Sequence, residues 1–130
     1  MARFEPIPAE TEELGRKLIG AAIEVHKALG PGFLEQIYEH ALCHELVRRN
    51  IPFEQQKPIV VRYKGIEIPG QRLDLLVGGQ IIVELKAVQA ILPIHEAQLI
   101  SYLKSVELRL GYVMNFNVRL LRDGIKRIVL

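Results

Sequence analysis

The hydrophobic periodicity of this 130-residue chain changes from helical to strand-like near residue 57, and that change limits the fold more than any other feature. Before it, apolar residues recur at three- and four-residue spacing. Leu14, Leu18, Ala21, Val25 and Leu29 mark one helical face starting near Thr11; Leu34, Ile37, Tyr38, Ala41, Leu42 and Leu46 mark a second. Gly30-Pro31-Gly32 separates them, with Pro31 suited to the turn that starts the second helix. Asn50-Ile51-Pro52 ends that helix, because a residue before proline is biased out of helical backbone. From Lys57 the chain reads as strands. Pro58–Tyr63 is rich in β-branched residues, Lys64-Gly65 turns the chain into Ile66–Ile68, and Pro69-Gly70 precedes a run over Gln71–Val77. Gly78-Gly79 reads as a two-residue hairpin turn that returns the chain antiparallel over Gln80–Lys86. A third helix is expected from Pro93 to about Lys104 and a strand over Leu108–Phe116. After Asp123-Gly124 a last short strand runs over Ile125–Val129. The order ααβββαββ describes an α/β (α+β) fold, a central mixed β-sheet flanked by helices.

Composition narrows the class without choosing a function. With 49% hydrophobic and 25% charged residues the chain can bury a core and is not of the disordered type. Its length suits a single domain over residues 1–130. No apolar run approaches the roughly 20 residues needed to span a bilayer. The first residues, MARFEPIPAE, lack the apolar core of a signal peptide, and one cysteine, Cys43, fits a reducing compartment. A cytoplasmic protein with no membrane partner is therefore expected. The net charge of +2 is too small to argue for nucleic acid by itself.

The informative residues are polar ones on faces that should be apolar. Glu35 projects beside Tyr38 on the inner side of the second helix, where a carboxylate costs several kcal/mol unless paired or bound to a metal. A head in solvent, favoured by the helix dipole, is the plainer reading of Glu35 alone. Asp74 stands mid-strand, where aspartate is depleted. Glu84 and Lys86 are two apart and so share one face of their strand, which alone suits a surface ion pair of little energetic worth. Together they say more. Asp74 and Glu84 flank the Gly78-Gly79 hairpin at similar offsets, so their carboxylates could meet across the pair. Each would raise the other's pKa unless a cation sat between them. Hard oxygen ligands beside a lysine suit Mg²⁺ or Mn²⁺, which activates water and stabilises charge on a phosphoryl group. Lys86 would then orient or deprotonate the water, or neutralise the transition state.

An Asp on one hairpin strand followed by E-x-K on the next resembles the signature of the PD-(D/E)XK nuclease superfamily. The segment Val25-His26-Lys27-Ala28-Leu29-Gly30-Pro31-Gly32-Phe33-Leu34-Glu35-Gln36-Ile37-Tyr38 resembles the defining segment of its GxxExxY branch. The likeness runs from about Leu18 to Gly124. It implies a restriction-endonuclease-like core, with Glu35 as the helix carboxylate that joins or supports the metal site. It implies Asp74 as the main metal ligand, although Leu73 stands where the superfamily name has proline. Glu84 and Lys86 match the E-x-K pair. Gln98-Leu-Ile-Ser-Tyr102 is similar to the Q-x-x-x-Y motif of RecB-like members: Gln98 would assist at the water or a phosphate, and Tyr102, four residues on and on the same helix face, would buttress substrate.

The histidines carry separate expectations. His26 belongs to the family segment and would position Glu35, touch substrate, or make a structural hydrogen bond to the turn. His95 shares the face of Gln98 and Tyr102 and could approach a phosphate. His40 and His44, with Cys43 between them, invite a zinc reading but lack the glutamate of H-E-x-x-H, so a solvated helix face is favoured.

The expected function is thus Mg²⁺- or Mn²⁺-dependent phosphodiester hydrolysis on nucleic acid, DNA ahead of RNA. The alternatives are a non-catalytic module that binds nucleic acid or protein on the same fold, and a hydrolase of small phosphoesters. Arg48, Arg49, Arg72, Lys126 and Arg127 are candidates for a basic rim. The apolar C-terminal strand could lie at a sheet edge and pair with a second copy as a homodimer.

Overall fold

The computed structural model describes residues 5–130 and realises the expected order of elements. Helices α1 (Ala9–Leu29) and α2 (Glu35–Arg48) precede strands β1 (Phe53–Tyr63), β2 (Ile66–Val77) and β3 (Ile81–Lys86). Helix α3 (Pro93–Val106) leads into β4 (Leu110–Asn115), and a short 3-10 turn at Leu121–Gly124 into β5 (Ile125–Val129). The strands form one mixed sheet in the order β1-β2-β3-β4-β5. Only β3 and β4 run parallel, because α3 carries the chain back between them.

Strand β3 generates the layers. Ile81, Val83 and Leu85 pack with Leu18, Leu42 and Leu46 of α1 and α2, whereas Ile82 packs with Leu99 and Leu103 of α3. The two-residue period of a strand thus sends alternate side chains into two cores, and β3 is apolar on both faces until Glu84. Among the described residues no helix is long and apolar enough to cross a membrane.

The Gly-Pro-Gly loop sets where α2 begins. Gly30 (φ 69°) and Gly32 (φ 109°) take backbone angles that side-chain-bearing residues rarely adopt. The Tyr38 hydroxyl clamps this loop, donating to the Gly30 carbonyl (2.6 Å) and accepting the Phe33 N–H (3.1 Å). Its ring stacks on Phe116 with centroids 4.7 Å apart. Glu35, the first residue of α2, is placed by that clamp.

Three details depart from the sequence reading. Strand β1 begins at Phe53, because the polar run Glu54–Lys57 pairs with β2 at the sheet edge. Strand β2 runs unbroken through Pro69-Gly70. Ile59 faces Gln71 and Val61 faces Ile68, so Pro69 and Gly70 together oppose Val60 in a bulge that accommodates a residue without an N–H. Beyond the bulge the β1–β2 arm is exposed, with Val61, Tyr63, Ile66 and Ile68 on one face and the Arg62–Glu67 ion pair (2.6 Å) on the other.

The third departure matters most. Val77 pairs with Ile81, so the hairpin loop holds three residues, Gly78-Gly79-Gln80, where two were expected. Gln80 is drawn out of the strand because its side-chain carbonyl accepts the Thr11 hydroxyl at the start of α1. Gly78 (φ 58°) lies so close to Leu14 that a Cβ would collide with that side chain. The pairing ends at Leu75–Val83, and the same register brings the next two residues, Asp74 and Glu84, opposite each other.

Candidate active site

Regular β2–β3 pairing stops at Leu75 and Val83, and two carboxylates take over. Glu84 Oε2 accepts the Asp74 backbone N–H at 3.0 Å, and Asp74 Oδ2 accepts the Leu85 N–H at 2.9 Å. Strand β2 also turns over here. Leu75 packs in the α1/α2 core and Leu73, two residues away, in the α3 core, although residues two apart in a regular strand share a face. In β1 the residue across from Asp74 is Gln56, held at φ 51° between the paired Gln55 and Lys57. The sheet is thus irregular where the acidic residues sit.

Their electrostatics follow from burial and from one another. Glu84 is only 5% exposed. Burial first, then the Asp74 charge, pushes its carboxyl up to about 8, against the opposing pull of the Asp74 N–H and Lys86. Burial raises Asp74 as well, opposed by the Leu85 N–H and aggravated by Glu39. Glu35 is raised by burial and then by the Asp74 charge, while Lys86 lowers it. Glu35, Asp74 and Glu84 therefore feel one another, and Lys86 is the cation that opposes their repulsion.

Glu39 is a further member that the sequence reading missed. It is buried on α2 and accepts Gln55 Nε2 at 2.7 Å and Gln56 Nε2 at 3.0 Å. The same Gln56 amide reaches Asp74 Oδ1 at 3.4 Å. The available signal was the four-residue spacing from Glu35, which puts both acids on one helix face.

On the α3 side a cleft of about 580 Å³ is lined by Gln71, Lys86, His95, Gln98, Ser101 and Tyr102. Tyr102 is buried and its Oη accepts Gln71 Nε2 at 2.6 Å. Burial and the Glu84 and Asp74 charges raise its phenol, which keeps it protonated. His95 Nδ1 accepts the Leu92 N–H at 3.0 Å, so in the neutral ring the proton sits on Nε2. Lys86 is held at its strand end from behind. Its carbonyl accepts the Phe116 N–H (2.9 Å), and Asn115 pins the next turn through Val88, accepting its N–H (3.1 Å) and donating to its carbonyl (2.9 Å). Asn115 was not singled out in the sequence, since an amide at a strand end looks like a turn residue.

Other expected residues lie elsewhere. His26 is buried with Nε2 3.1 Å from the Phe116 carbonyl, and it lines a separate cavity. His40 and His44 are exposed while Cys43 is buried, so the three do not converge. Of the basic-rim candidates, Arg49, Lys126 and Arg127 form ion pairs with Glu45, Glu96 and Glu12.

The donor set suits a hard divalent cation, but not as a closed cage. Among the described residues no three His, Cys, Asp or Glu side chains stand together as a preformed ligand group. Mg²⁺ does not require one, since it commonly keeps several waters and takes one or two carboxylates plus substrate phosphate. Glu84 has one oxygen committed to a backbone N–H, Asp74 has one so committed and the other in a long 3.4 Å contact with the Gln56 amide, and the raised pKa values of both acids mark a site short of positive charge.

A family model of the PD-(D/E)XK nuclease superfamily matches residues 12–128, and the chain belongs to that superfamily. Neither a curated protein nor a solved structure matches the chain significantly. The mixed sheet with flanking helices agrees with the restriction-endonuclease-like fold of the superfamily, whose nucleases generally use divalent metals.

Proposed function

We propose that this protein is a Mg²⁺- or Mn²⁺-dependent nuclease of the GxxExxY branch that hydrolyses phosphodiester bonds, with DNA as substrate. One observation carries the reading: Asp74 and Glu84 face each other across the opening of β2 and β3, with Lys86 beside them at a cleft. Asp74 and Glu84 would hold the ion, with Glu35 as a third ligand or as support from α2. The ion would supply Lewis-acid polarisation of a phosphoryl oxygen and acidify a water. The Lys86 ammonium orients the attacking water and offsets charge that accumulates on the phosphorus oxygens. Gln98 donates its amide to a phosphate oxygen, and His95 offers its Nε2–H to the next. Tyr102, fixed by Gln71, forms a wall against substrate.

The test is cleavage of plasmid and of labelled DNA and RNA oligonucleotides by purified protein with Mg²⁺ or Mn²⁺. The parent cuts DNA, chelation stops it, and Asp74→Ala and Lys86→Ala abolish it. Variants that cut as well as the parent overturn the assignment.

A second reading, a module that binds nucleic acid or protein without cutting it, is favoured by the lack of a preformed three-ligand group among the described residues. Calorimetry separates the two. Divalent binding that Glu84→Ala removes supports the nuclease, and metal-independent binding to DNA or protein supports the module. Homodimerisation belongs to the same proposal, because β5 is an edge strand of the sheet.

A further inference from the structure

His26 is absent from the cleft that Lys86, Gln98 and Tyr102 line, and the cavity it does line has no role in the chemistry above. That cavity, about 500 Å³, lies between the end of α1 and the segment that follows β4. Its composition is one-sided. Three cations surround it, Lys27, Arg119 and Arg122, and none of its lining residues is acidic. All three are exposed, and among the described residues none forms an ion pair. This sets them apart from Arg49, Arg62 and Arg127, which are neutralised by nearby glutamates. The C-terminus of α1 contributes about half a negative charge, too little to balance three full positive ones. Ile23, Leu120 and Leu121 give the same cavity an apolar wall. Three unpaired cations beside an apolar surface match a ligand with a phosphate at one end and a flat, weakly polar ring at the other. The volume falls within the range of small-molecule sites and exceeds what phosphate alone would fill.

We propose that this second cavity binds a nucleotide, its phosphate held by Lys27, Arg119 and Arg122 and its base lying on Ile23, Leu120 and Leu121. The choice of a nucleotide among phosphorylated ligands rests on the nuclease reading. The nucleotide is either free or part of a nucleic-acid strand that also reaches the cleft. The cavity is tied to that cleft through one residue: Phe116 offers its carbonyl to His26 and its N–H to the Lys86 carbonyl.

The test is NMR titration of the full chain in EDTA, carrying Asp74→Ala so that neither metal nor cleavage enters. The probes are inorganic phosphate, AMP, dAMP and a single-stranded DNA oligonucleotide. The mononucleotides are expected to shift the His26 ring and the Leu120 and Leu121 methyls, and to bind about tenfold more tightly than phosphate. Arg119→Glu with Arg122→Glu, both at exposed positions, weakens mononucleotide binding by about tenfold or more, as does Lys27→Glu to a smaller degree. Weakening of the oligonucleotide as well assigns the cavity to a strand; weakening of the mononucleotide alone assigns it to a free nucleotide. Either result supports the site. Equal binding of phosphate and mononucleotide, shifts confined to Lys86, Gln98 and Tyr102, or binding unchanged in the charge-reversed protein overturns it. Cleavage by the wild-type chain is scored separately, so a failed nuclease and a failed nucleotide site give different results.

Discussion

Asp74 and Glu84 complete each other's strands: the Asp74 N–H donates to Glu84, and the residue after Glu84 donates its N–H to Asp74. The acids proposed for chemistry are therefore also the last rungs of the β2–β3 ladder. Charge and hydrogen bonding at Glu84 are separable. Glu84→Gln keeps a side-chain acceptor for the Asp74 N–H and removes the repulsion, so it folds at least as stably as the parent at pH 8 while losing cleavage. Glu84→Ala leaves that N–H without its partner, at a cost of about 1–3 kcal/mol. Urea unfolding in EDTA checks this, and identical midpoints for the two variants would contradict it.

The metal-free protein is expected to lose stability as pH rises. The Glu84 carboxyl is raised to about 8 by burial and the Asp74 charge, from an ordinary value of 4.5, so the folded state holds a proton that the unfolded state has released. Its contribution is full below about 4.5 and is lost as pH climbs through about 8. One carboxyl sets a slope of at most about 1.4 kcal/mol per pH unit, and the raised Asp74 and Glu35 act in the same direction. Unfolding midpoints between pH 5 and 8 should fall in EDTA, and added Mg²⁺ should restore the alkaline end. A midpoint that rises with pH in EDTA refutes it.

Gln56 joins Glu39 to Asp74 from a left-handed backbone position. Gln56→Gly relieves the backbone and Gln56→Ala does not, so Gly is the more stable variant by about 1 kcal/mol. Both lose the bridge. Cleavage falls by about the same factor in each, on the order of tenfold, for a lost hydrogen bond to an ionised group. Stability and kcat measured side by side decide whether the two effects separate.

Tyr38→Phe keeps the stack on Phe116 and deletes both loop hydrogen bonds. The Phe33 N–H and the Gly30 carbonyl lose their partner, for about 1–2 kcal/mol of stability. Amide exchange should rise in Gly30–Glu35 and stay unchanged in β3. Cleavage falls because Glu35 is no longer fixed, and unchanged exchange in the loop would show that the clamp is not what holds it.

The element order was legible because each helix has an apolar stripe and each inner strand an apolar run. Glu35, Asp74, Glu84 and Lys86 stood out as charges interrupting those patterns. Glu39 did not, since its burial comes from Gln55 and Gln56 on an edge strand that is polar and was expected to begin later. His26 shows the opposite limit. The segment in which it lies resembles a family motif, yet local spacing does not say that its ring turns to Phe116, ninety residues away. The length of the β2–β3 loop was also hidden, because the contact that removes Gln80 from the strand comes from Thr11.

That loop has a consequence for how such a chain can diverge. A slip of one residue in an antiparallel pair sends side chains to the opposite face. Deleting one residue from Gly78-Gly79-Gln80 would leave every acidic residue in the sequence and take Glu84 away from Asp74. At the far end of the same strand, the exposed Lys64-Gly65 tip can lengthen or shorten with no effect on that meeting. Insertions and deletions would therefore accumulate in the arm and be eliminated at the glycines. Two turns of one sheet, similar in composition, would drift at very different rates.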